Sequence, residues 1–143
     1  MPAESIALRT AQFTSNQWSS VTPLGCVADW YLESLEIVRR LGNMDEGWDG
    51  YGSPSIPVRA TIKANYILSL VSLYRMNEPH IAPVPGGGLQ LEWDCDNRSL
   101  EIEVHPTGQY DFLIAEGEDI VVAPLTDKLL PPLLNWIRTG NLA

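Results

Sequence analysis

From Leu89 to Ile114 the chain alternates apolar and polar residues with a period of two. Leu89, Leu91 and Trp93 alternate with Gln90, Glu92 and Asp94, and Leu100, Ile102 and Val104 alternate with Glu101, Glu103 and His105. Tyr110, Phe112 and Ile114 alternate with Asp111 and Leu113. Successive side chains of a strand point to opposite faces, so these segments predict strands with one buried face. The connections are too short for a parallel crossover, which leaves antiparallel pairing. Asp96-Asn97 as a two-residue loop sets Cys95 against Arg98, Trp93 against Leu100, Leu91 against Ile102 and Leu89 against Val104. Pro106-Thr107-Gly108 as a three-residue loop, with glycine at the left-handed position, sets Val104 against Tyr110, Ile102 against Phe112 and Leu100 against Ile114. A loop one residue shorter sets Val104 against Asp111 and turns the core face outward.

Asp119 to Ala123 completes an antiparallel four-stranded meander. Residues 79–85 are extended and proline-rich, an edge-strand candidate. Helical spacing precedes the strands. Val27, Tyr31, Leu35 and Val38 predict a helix from Pro23 to Leu41, with Thr22 as its cap and Gly42 as its stop. A second helix is predicted from Pro57 to Met76, with Ser55 as a cap candidate. Ile62, Tyr66, Leu70 and Leu73 share one of its faces, and its apolar second half predicts a central helix buried on several sides. Pro131 and Pro132 suit only a first turn, so a C-terminal helix is expected from about Leu130. Two N-terminal helices, a meander and a C-terminal helix make a segregated α+β fold. It is expected to be one domain over residues 1–143, with 1–21 weakly patterned.

With 18 acidic and 9 basic residues the net charge is −9, which speaks against nucleic acid and anionic membrane as partners and permits a basic protein. Cys26 and Cys95 have neither metal-ligand nor redox spacing, so no metal or cofactor is expected. The opening MPAESIALRT has no basic n-region and no apolar h-region, and no apolar run is long enough to span a bilayer; a cytoplasmic location is expected.

The register also fixes the polar face. Glu92 lies opposite Glu101, and Gln90, Glu103 and Asp111 form a row across three strands, with Asp94 and His105 at the ends. Opposed residues have Cβ atoms about 5 Å apart, where like charges repel. Such a face is either a solvated polar surface or a docking surface for a Lys- or Arg-rich partner. A catalytic Glu92/Glu101 pair is not expected, because an outward-facing strand pair has no cleft to hold a dry general acid. The second candidate is the glycine-rich loop carrying Trp48, Asp49 and Tyr51 beside Asp45 and Glu46. It lacks the spacing of a calcium loop and the lysine of a phosphate loop. Its aromatics either pack down or stand out as interface anchors. His80 and His105 are lone histidines with no triad, and Gly86-Gly87-Gly88 precedes a strand, unlike a nucleotide fingerprint.

The segments GWDGYGSP (47–54), PGGGLQLEW (85–93) and RSLEIEV (98–104) together resemble a family of small bacterial proteins with no established activity. The resemblance spans residues 35–115 and implies the same fold and a bacterial source. Gly86 stands where the pattern has an aspartate, so no role of that acid carries over.

The leading functional expectation is a non-enzymatic protein-binding or regulatory module, antitoxin-like or inhibitor-like and of bacterial or mobile-element origin. Its binding residues are Trp48, Asp49, Tyr51, Glu92, Glu101, Glu103 and Asp111. The alternatives are a small-molecule-binding protein or enzyme with a pocket between the helices and the Trp93/Tyr110/Phe112 face, and a homodimer formed through an edge strand or the C-terminal segment.

Overall fold

The computed structural model describes residues 28–141. Helices α1 (Tyr31–Gly42) and α2 (Val58–Val71) precede β1 (His80–Val84), β2 (Gly88–Cys95), β3 (Arg98–Val104), β4 (Tyr110–Glu116) and β5 (Asp119–Pro124), and α3 (Leu130–Thr139) follows. The strands form one antiparallel sheet in sequence order. The architecture is α+β with five strands, one more than the expected meander. The extra strand is the proline-rich segment, where Ile81 pairs with Leu91 and Pro83 with Leu89 at the sheet's edge. Proline lacks an N–H, and an edge strand tolerates it because one side of its ladder has no partner.

Both hairpin registers are those the alternation requires: Trp93 pairs with Leu100, Leu91 with Ile102, Ile102 with Phe112 and Leu100 with Ile114. These residues are buried and meet Ala60, Ala64, Ile67, Leu68 and Val71 of α2 and Leu133, Leu134, Trp136 and Ile137 of α3.

The helices depart from expectation in three ways. Thr22, Pro23 and Val27 lie outside the described residues, and residues 28–30 form a turn where helix was expected. There the backbone N–H of Ala28 donates to Ser72 O at 3.1 Å, and Trp30 Nε1 donates to Met76 O at 3.0 Å. This segment is held by the end of α2 instead of by its own helical turn. Helix α2 ends at Val71, five residues early, because Leu73 and Tyr74 bond back three residues, to Leu70 and Val71, and tighten the chain. Pro57 occupies its N-terminal boundary and Ser55 makes no capping bond. Finally, α2 is buried on one side only. The alanine-rich face packs inward, whereas Val58, Ile62 and Tyr66 are exposed. Small residues let the two helices approach closely: a Cβ at Gly42 would stand 2.9 Å from Thr61 Cγ2.

Arg98 closes the other end of the core. Its guanidinium donates to Ile137 O at 3.1 Å, beside Gly140, whose left-handed backbone ends α3. A cation at a helix C-terminus satisfies an orphan carbonyl and complements the dipole.

Candidate functional site

The helices pack on one face of the sheet, and the side chains of the opposite face are at least partly solvent-exposed. The registers divide this outer face in two. One row across the strands reads His80, Glu92, Glu101, Leu113, Val122, and the next reads Ala82, Gln90, Glu103, Asp111, Pro124. A third holds Asp94, Ser99, Ala115 and Ile120. Acids thus collect on β2, β3 and, at Asp111, the start of β4, and apolar side chains on the rest of β4 and on β5. Ile120 and Val122 are each 62% exposed. A shallow groove of about 120 Å³ runs along the seam, lined by Gln90, Glu101, Glu103, Asp111, Leu113 and Val122. The apolar half was not foreseen, although the sequence carries its signal: Leu113 breaks the polar phase of β4, and Ile120 and Val122 occupy the outward phase of β5.

The repulsion predicted on the acidic half is partly relieved. Gln90 Nε2 donates to Glu92 Oε2 at 3.3 Å and to Glu101 Oε1 at 3.2 Å, and so bridges the opposed pair. His105 lies between Glu103, 3.0 Å from Nδ1, and Asp111, 2.7 Å from Nε2. It is therefore not a lone histidine. Both ring nitrogens donate only in the imidazolium, which is the form that satisfies both carboxylates. The register had already placed Glu103 opposite Asp111 with His105 at the end of the same face; the placement of the imidazole between the two carboxylates was not drawn from it. Glu101 has no such counter-ion. Desolvation first, then the charges of Glu92, Asp94 and Glu103, push its carboxyl above the usual value, against the hydrogen bond from Gln90.

The loop candidate is an ordered knot. Asp49 Oδ1 accepts from the backbone N–H of Tyr51 at 2.9 Å and of Ser53 at 3.1 Å, and Oδ2 accepts from Ser53 Oγ. These bonds, led by the Ser53 hydroxyl, hold the Asp49 carboxyl below its usual range. Ser53 Oγ in turn accepts from the backbone N–H of Gly86 at 3.2 Å, tying the loop to the β1–β2 turn. Trp48 is half-buried and donates Nε1 to Pro54 O at 3.0 Å. Tyr51 is 93% exposed. Asp49 therefore holds the loop together, and the Tyr51 side chain is left exposed. The row Gln90–Glu103–Asp111 begins two residues after Gly88, so the loop and this row share one end of the sheet.

The residues named for a pocket do not line one together. Trp93 and Phe112 are packed in the core, and Tyr110 donates its hydroxyl to Asp127 at 3.0 Å. A cleft of about 250 Å³ does open beside the α2–β1 connection, lined in part by Arg75, His80, Glu92, Trp93, Cys95 and Arg138. Among the described residues no group of three His, Cys, Asp or Glu is placed to hold a metal ion, and no helix is long and apolar enough to cross a membrane.

Fold and site together define an α+β domain presenting a sheet face that no described residue covers, half acidic and half apolar, with an exposed tyrosine at one end. Comparison with protein-family models, curated proteins and solved structures finds no match to this chain.

Proposed function

We propose that the protein is a non-enzymatic binding module, antitoxin-like or inhibitor-like and acting in a bacterial cytoplasm, whose outer sheet face receives a basic protein partner. The observation that carries this reading is the seam at Glu101. A carboxylate pressed by three like charges stands directly opposite Leu113, with Val122 beyond it. A partner lysine or arginine laid along that groove relieves the repulsion with its charged head and covers Leu113 and Val122 with its aliphatic stem. Tyr51, on its hydrogen-bonded loop, supplies an aromatic anchor at low ordering cost.

The test is capture from the native host with wild type and with Glu101→Lys/Glu103→Lys, followed by calorimetry on the purified captured protein. The expected partner is basic, and the doubly reversed variant, shown folded by circular dichroism, binds it at least about tenfold more weakly. A purified partner bound equally by both proteins would falsify the acidic-face mechanism. Tyr51→Ala is expected to cost a further factor of about ten, the loss usual for an aromatic anchor.

A further inference from the structure

Among the described residues β1 and β5 are the two edges of the sheet. An edge strand presents unpaired backbone N–H and C=O groups, a template for another strand. The two edges are built differently. β1 contains Pro83 and is flanked by Pro79 and Pro85, which blunt it as a template. β5 has no proline before its last residue and carries the β-branched run Ile120-Val121-Val122 at its centre. Its outward side chains, Ile120 and Val122, are each 62% exposed.

We propose that β5 pairs antiparallel with β5 of a second copy of this chain, about a twofold axis at Val121, so that two sheets become one continuous sheet. A twofold axis perpendicular to the sheet keeps each face on its own side, so paired residues must share a face. Centring on Val121 sets Ile120 against Val122 of the second copy, and this pair occurs twice, on the outer face. Val121 meets itself on the inner face and Asp119 meets Ala123. No acid faces an acid, which matters for a chain of net charge −9. Centring one residue later would set Ile120 against Pro124, which has no N–H to give.

Charge also selects the occupant. The outer-face acids stand on β2 and β3 and, at Asp111, on β4, so β5 itself lies between all of them and any strand added at its edge. A basic strand gains little from them, whereas self-pairing needs no opposite charge and brings the exposed Ile120 and Val122 side by side with Val122 and Ile120 of the second copy. The proposal does not rest on the basic-partner reading.

The register makes a specific test. Sedimentation equilibrium of the full chain over a concentration series is expected to show a mass rising from 15.9 kDa toward twice that value. Ile120→Lys/Val122→Lys sets lysine against lysine at both outer pairs, and is expected to raise the dissociation constant by about tenfold or more. Ile120→Lys/Val122→Glu sets lysine against glutamate at both, and restores the dimer. Both positions are exposed, so the folded chain tolerates the changes; circular dichroism checks it. A wild type that stays at 15.9 kDa throughout overturns the proposal. So does a dimer indifferent to the double lysine, or one that the opposite-charge pair fails to restore.

Discussion

Glu101 shows how one side chain links register to function. It is expected to weaken the isolated protein at neutral pH. Because its carboxyl titrates above the usual 4.5, the folded state holds the proton more tightly than the unfolded state. The stability this contributes is complete below 4.5 and is lost as pH rises through the folded value. Glu101→Gln removes the repulsion, so its melting temperature is expected to exceed that of wild type at pH 7. The gain should vanish in melts run below pH 4.5. Equal melting temperatures at pH 7 would refute the account. The Asp49 shift has the opposite sign: its contribution is present above the usual 3.8 and is lost as acid protonates the folded carboxyl.

At the scale of elements, strand registers were legible, and so were the helix boundaries at Gly42, Pro57 and Leu130, but the start of α1 and the end of α2 were not. A period of two, together with loop length, leaves one register for β2, β3 and β4, since a slip of one residue exposes every core side chain. Those two ends depend on bonds between distant residues. Nothing local in Ala28 or Met76 announces that they meet Ser72 and Trp30. The buried face of α2 was misjudged for a related reason. Ile62 and Tyr66 read as core by hydropathy, but the close approach of α1 selects the alanine side. Glycine at the start of β2 is equally a matter of tertiary approach: a Cβ on Gly88 would lie 2.7 Å from Val104 O. Gly88→Ala is therefore expected to cost about 1–3 kcal/mol, as overpacking does, in urea denaturation. Gly86→Ala has open space around its Cβ but a φ of 99°, so its penalty comes from the backbone alone.

For the whole molecule, the acidic half of the site was legible because outward residues of a half-buried strand are fixed along with the inward ones. The apolar half carried the same signal in Leu113, Ile120 and Val122 and was overlooked, whereas the role of Asp49 was not legible, because it depends on how a loop folds on itself. The electrostatic part of partner binding follows from the same distribution. The affinity of the captured partner is expected to fall as salt is raised from 50 to 500 mM, because exposed charges are screened over about 4–14 Å in that range. It should also fall as pH drops through the raised Glu101 value, with proton release on binding seen in buffers of different ionisation heat. Affinity independent of salt would place the interaction elsewhere. The bond from Gly86 to Ser53 has a consequence of another kind. It spans 33 positions and joins the loop after α1 to the turn between β1 and β2, while Asp49 gathers the loop around the same hydroxyl. Neither segment can fray without freeing polar groups of the other. The two therefore open as one cooperative unit, and their amides exchange with solvent on a common clock although α2 lies between them in the chain.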